Sequence, residues 1–172
     1  MPGTELPFTD TAGRKWYFLA VNPVPWAVGQ AAIARKKDGT GNRVYVAPNK
    51  DLRAYQNAIR EEMGRYFTVP IEGVDMDVVF VFTRSLDTIK RGKSVSHSHV
   101  ADATNMQKAT EDALQGILFG NDRQNRVILS IIREQEPDIE PSVAVGLRIT
   151  TDEHVRNLIP PEVEAKIAEV SW

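Results

Sequence analysis

Leu52, Tyr55, Ile59, Met63 and Phe67 recur at spacings of three and four, which predicts an amphipathic helix over about residues 50–67. Asn49 is placed to cap this helix and Pro70 to close it. A second periodic run, Met106, Ala109, Ala113 and Ile117, predicts a helix that begins just after Asp102. Strand patterns surround these two helices. Lys15 to Val21 is aromatic and β-branched and ends at Asn22-Pro23, with Pro25 holding the next backbone extended. Ala31 to Lys36 and Arg43 to Ala47 flank a loop of Asp38-Gly39-Thr40-Gly41-Asn42, which predicts a hairpin. Val74 to Phe82 alternates at first, with Asp75 and Asp77 on one face, then turns continuously apolar, as a strand inside a sheet does. Val127 to Arg133 and Ser142 to Thr150 predict two further strands around an acidic turn. Beyond Pro160-Pro161, the stripe Val163, Ile167, Val170 predicts a short tail helix near 161–170. Residues 83–101 have no period and read as an exposed loop.

This mixture of strands and helices is α+β, and 172 residues with 42% hydrophobic content suffice for one core. The absence of cysteine removes disulfides, thiolate metal sites and cysteine nucleophiles. No run approaches the roughly 20 apolar residues of a membrane span, and the opening Met-Pro-Gly-Thr-Glu lacks a basic segment followed by an apolar one. A soluble, cytoplasmic protein is expected. Net charge is −2, but residues 1–100 hold 14 Lys/Arg against 10 Asp/Glu, while residues 101–172 hold 7 against 13. Such a division lets a basic surface meet phosphates while acids serve elsewhere.

The candidate chemistry lies between Asp102 and Asp122. Asn105, Lys108 and Asp112 fall within an arc of roughly 60° at 100° per helical residue, adjacent to the apolar stripe. Asp102 stands at the expected N-cap, where a structural cap and a metal ligand are both open readings. Ile117 to Asp122 reads as a tight return that brings Asp122 back beside the first helical turn. Two acids held close repel unless a cation or proton is shared between them, so the pair points to divalent-metal phosphodiester chemistry. Asp102 and Asp122 are the expected ligands. Asp112 is either a third ligand or a salt-bridge partner of Lys108. Lys108 is expected to offset charge on a scissile phosphate, and Asn105 to orient a ligand or water. Arg84, Lys90, Arg91 and Lys93, with Lys36 and Lys37, are candidates for phosphate contacts, against the plainer reading of a solvated loop.

Other signals fail. Arg91-Gly92-Lys93-Ser94 is similar to a phosphate loop, but the earlier glycine it needs falls at Asp87, which argues against nucleotide triphosphates. His97, His99 and His154 without any cysteine make a poor zinc set. No nucleophile elbow surrounds Ser96 or Ser98.

Asp102-Ala103-Thr104-Asn105-Met106-Gln107-Lys108, then Asp112-Ala113-Leu114-Gln115-Gly116, then Asn121-Asp122-Arg123-Gln124 resembles the pattern of the RusA family of Holliday-junction resolvases, D-x-D-N-x-x-K, D-A-L-x-G and D-D-x-Q. The likeness extends more weakly over residues 15–150, through Asn22, Pro23 and Pro25, the helix near Tyr55, and Val145-Gly146-Leu147. It implies a mixed β-sheet packed against two main helices in one domain over 1–150, with a tail over 151–172 that carries a short helix. It further implies a Mg²⁺-dependent homodimeric endonuclease, Mn²⁺ substituting, that cuts branched DNA in recombination, repair or phage-type genome processing. Thr104 stands where the family carries a second acid, and Asn121 where it often carries another. A protein of the same fold that binds branched DNA with weakened or absent hydrolysis is therefore the alternative. A small-molecule hydrolase or an unrelated metal-binding domain is a third class.

Overall fold

The computed structural model describes residues 7–25, 31–35, 42–46, 49–84, 102–133 and 139–169. Five strands form one sheet in the spatial order β1-β2-β7-β5-β6: β1 (Phe8–Thr9), β2 (Lys15–Leu19), β5 (Met76–Thr83), β6 (Asn125–Arg133) and β7 (Ser142–Ile149). β3 (Ala31–Arg35) and β4 (Asn42–Val46) pair separately as the hairpin expected from their loop. β6 runs parallel to β5, while β1–β2, β2–β7 and β5–β7 are antiparallel, so the sheet is mixed. A parallel pair needs a crossover, and here the crossover carries α2 (Ala103–Leu114).

α1 (Lys50–Gly64) and α2 cover one face of this sheet. Their apolar stripes meet alternate strand residues, so Leu52, Tyr55, Ile59 and Met63 of α1 and Met106, Ala109, Ala113 and Leu114 of α2 enclose Met76, Val78, Phe80, Phe82, Val143 and Val145. Asn49 caps α1 as expected, accepting from Leu52 N at 3.1 Å. The helix closes at Gly64, short of the expected Phe67, although Phe67 N still donates to Met63 O and its ring packs on Tyr17, centroids 5.2 Å apart. Thr110 donates to Met106 O at 2.8 Å, which leaves its oxygen to accept from the Tyr55 hydroxyl at 2.6 Å. This buried bond pins α2 against α1, and burial holds the Tyr55 phenol neutral, well above its ordinary range.

The opposite face is fastened by charge. Asp77, the second residue of β5, is 2% exposed at the head of an apolar run, and it accepts from Arg14 Nη2 at 2.7 and 2.8 Å and from Arg148 Nε at 2.8 Å. Burial pushes its carboxyl up, but the hydrogen bonds from Arg14 and Arg148 prevail and hold it below the usual carboxylate range. Gly146 lets this layer close, because a Cβ there would lie 2.6 Å from Arg14 Cδ and 2.9 Å from the Trp16 ring. Two short elements escape the sequence pattern: β1, and α3 (Asp152–Asn157), which Thr151 caps. The expected tail helix is α4 (Pro161–Glu169). No helix among the described residues is long and apolar enough to cross a membrane.

Candidate active site

Asp102 is the N-cap of α2. Its Oδ1 accepts from Asn105 N at 2.7 Å and its Oδ2 from Asn105 Nδ2 at 3.2 Å, so Asn105 fixes the carboxylate through backbone and side chain together. Asp102 remains exposed, and both oxygens keep lone pairs turned to solvent. Lys108 follows about two turns along on the exposed side. Asp112 is half-buried near the end of the helix, where its backbone carbonyl accepts from Arg60 Nη2 at 3.2 Å.

After Leu114 the chain reverses sharply. Gly116 adopts φ +80°, and its N–H donates to Phe119 O at 2.8 Å, while Leu118 and Phe119 plunge into the core. Asn121 then caps a single 3₁₀ turn, Asp122–Gln124, with a reciprocal bond from its own N–H to Gln124 Oε1 at 3.1 Å. Gln124 Nε2 donates to Ile71 O and Val74 O, both at 3.1 Å, which ties this turn to the segment entering β5. Asp122 is thus exposed on a firmly held turn.

The expectation that this return brings Asp122 beside the first turn of α2 is not met within one chain. A tight reversal after a helix sends the next strand back antiparallel to it, so residues just before the strand stand at the helix's C-terminal end. Two contacts establish this direction: Asn125 Nδ2 donates to Glu111 Oε1 at 2.9 Å, and Ser130 Oγ to Gln107 Oε1 at 2.8 Å. With an axial rise of about 1.5 Å per residue, Asp102 and Glu111 are roughly 14 Å apart, and Asp122 lies at the Glu111 end. Among the described residues, no group of three or more His, Asp or Glu side chains converges as a metal site. Among the described residues of one chain, Asp102 and Asp122 therefore stand at opposite ends of α2.

The helix sorts the candidates by end. Arg84 follows β5 at the sheet end that also carries Asp102 and Asn105, whereas Asp112 and Asp122 share the other end. Arg84 is half-buried, and its Nε is a buried donor without a hydrogen-bond partner among the described residues. Lys36, Lys37, Lys90, Arg91, Lys93, His97 and His99 lie outside the described residues. A shallow cleft of about 570 Å³ lined by Lys15, Arg148, Thr151 and His154 contains none of the candidate acids. His154 is engaged elsewhere, its Nε2 facing Arg148 and standing 3.3 Å from Asp77.

The sequence reading passed over the Gln107–Ser130 and Glu111–Asn125 bonds that orient α2 on β6. Polar residues on the flank of an amphipathic stripe were the available signal. Asn121, noted only as a replaced acid, has a structural task as the cap of the turn that presents Asp122.

Carboxylate, amide and ammonium groups on the exposed side of α2 in a small α+β domain are groups chemically suited to phosphate esters. Residues 23–148 match the family of endodeoxyribonuclease RusA, and the chain belongs to that family. Membership implies endonuclease action on Holliday junctions, in a family that is metal-dependent in general. A search of curated proteins finds no match.

Proposed function

We propose that this protein is a Mg²⁺-dependent, structure-selective endonuclease that resolves Holliday junctions or related branched DNA by paired nicks, acting as a homodimer whose sites each combine acids from two chains. The observation that carries the reading is the separation of Asp102 and Asp122 by the length of α2 in a chain whose family cuts DNA. Hard carboxylate donors suit magnesium, yet one chain supplies them at two distant points, so a second copy is needed to bring an Asp102 to an Asp122. A junction with twofold symmetry also calls for two equivalent cutting sites.

Asn105 holds the Asp102 carboxylate in place, and Lys108 supplies positive charge on the same helix for a phosphate. Asp112 is a third acid at the Asp122 end. Arg84, Lys90, Arg91 and Lys93 are proposed to contact phosphates away from the cut. The cytoplasm, of a cell or of a phage host, is the proposed setting.

The second reading, binding of branched DNA without hydrolysis, rests on Thr104, an exposed hydroxyl in the first turn of α2 where the family carries an acid. Incubation with a synthetic four-way junction and Mg²⁺ or Mn²⁺ decides between the two. Paired nicks are expected, and Asp122→Asn abolishes them while sparing binding; binding without nicks at any metal concentration establishes the second reading. Thr104→Asp is expected to raise the cutting rate, and an unchanged rate means that another group already serves in place of the missing acid.

A further inference from the structure

We infer that the tail segment 151–157 is a built-in competitor for DNA, in which the Asp152 carboxylate occupies on Arg126 the place of a backbone phosphate. The inference rests on the proposed function in bringing DNA to the Asp122 end of the sheet. The segment lies beyond residues 23–148, the part of the chain that matches the family. Strand register fixes where it starts. Ile149, the last residue of β7, stands opposite Met76, the first of β5, and Met76 stands opposite Asn125, the first of β6. Asp122 opens the 3₁₀ turn that leads directly into Asn125, so the tail leaves the sheet at the end that carries Asp122. Thr150 N donates to Asp75 O at 2.9 Å, and the Thr151 side chain accepts from His154 N at 3.2 Å, which seats the start of α3 against that end.

Arg126 is set apart from the rest of β6. Its neighbours Asn125 and Val127 pair with the consecutive residues Met76 and Asp77, so the register skips Arg126. An extra residue of this kind bends a strand and re-aims a side chain. Two carboxylates converge on a single nitrogen of this guanidinium: Nη1 donates to Asp75 Oδ2 at 3.0 Å and to Asp152 Oδ1. Asp75, just before β5, already supplies the counter-charge. Asp152 adds a second negative charge where one suffices.

Such a contact suits exchange better than folding. The Asp152 side chain is 73% exposed and that of Arg126 37%, and an ion pair this open to water contributes little to stability. A phosphate oxygen offers a guanidinium the same charge-assisted hydrogen bond as a carboxylate oxygen, so a DNA strand arriving beside Asp122 can take over Nη1 and release Asp152. The rest of the tail acts in the same sense. Residues 151–169 hold five Asp/Glu against two Lys/Arg, which adds to the repulsion that DNA meets on approach.

Binding reads the exchange directly. Full-length wild type, Asp152→Asn, Glu153→Gln and the double variant Asp152→Asn with Arg126→Gln are titrated onto a fluorescent four-way junction without divalent metal, so that nothing is cut. Glu153 is an exposed acid of the same turn outside the Arg126 ion pairs. Asp152→Asn is expected to tighten binding roughly threefold to tenfold, Glu153→Gln to leave it nearly unchanged, and the added Arg126→Gln to cancel the gain. In the wild type, the junction is expected to speed amide hydrogen exchange across α3 as Asp152 is displaced. Equal gains from Asp152→Asn and Glu153→Gln, no gain, a gain that survives Arg126→Gln, or exchange in α3 that the junction leaves unchanged overturns the inference. Cutting is scored separately with Mg²⁺: tighter binding by Asp152→Asn with no nicks from any variant leaves the competitor standing and removes the nuclease reading, whereas nicking with binding unchanged at Asp152→Asn removes the competitor alone. A junction that neither the wild type nor any variant binds removes both.

Discussion

At the scale of single residues, Asp77 carries the largest electrostatic commitment in the described structure. Two guanidinium groups close on one buried carboxylate, and together they join the segment before β2 to β5 and β7. Asp77→Ala leaves Arg14 and Arg148 facing each other without a counter-charge, and a loss of about 3 kcal/mol is expected in denaturant titration. The pH dependence has a definite sign. The Asp77 carboxyl lies lower in the folded chain than in the unfolded one, so its contribution is complete above the ordinary aspartate value of about 4 and is lost as pH falls through the folded value. Melting curves of the wild type and Asp77→Ala should therefore converge as the pH is lowered beneath that range, and a constant gap between them would contradict the assignment. Gly146→Ala tests the packing above this network. The added methyl meets Arg14 and the rigid Trp16 ring, and a loss of about 1–3 kcal/mol is expected, read by thermal melting.

Among the elements, α2 does most to place the candidate chemistry, and its apolar stripe is seated with the help of one buried hydroxyl pair, two flanking bonds to β6, and bonds from Gln56 and Arg60 of α1 to the carbonyls of Ala109 and Asp112. Tyr55→Phe removes a single bond while Thr110 retains Met106 O, so a loss of about 1 kcal/mol is expected with α2 still formed. Most of this layer was legible in the sequence, because Leu52, Tyr55, Ile59 and Met63 at helical spacing, and Met106, Ala109 and Ala113 likewise, reflect burial on one side only. β1 and α3 were not legible, since two and six residues are too short to display a period. The position of Asp122 was misread for another reason. Spacing along a chain says that a turn follows the helix, but not that β6 must then run the whole length of α2 before the chain regains the Asp102 end. Asp77 marked itself only as an acid in an apolar strand, and its partners Arg14 and Arg148 are distant in sequence.

For the whole molecule, one helix carries candidate acids at both ends, and the proposed function uses that helix in pairs. Electrostatics give an independent check on the DNA surface. If Arg84 contacts a phosphate, Arg84→Gln should reduce the slope of log affinity against log salt by about one for a four-way junction, and an unchanged slope would exclude it. The central claim is that each cutting site draws Asp102 from one chain and Asp122 from the other, and mixing two dead variants measures it most directly. Asp102→Asn and Asp122→Asn are each expected to be inactive alone. Mixed under conditions that exchange subunits, they should regain nicks at about one quarter of the wild-type sites, since random pairing restores one site in each mixed dimer. If the wild type cuts and exchanged mixed dimers form but stay silent, both acids act within a single chain and the account fails.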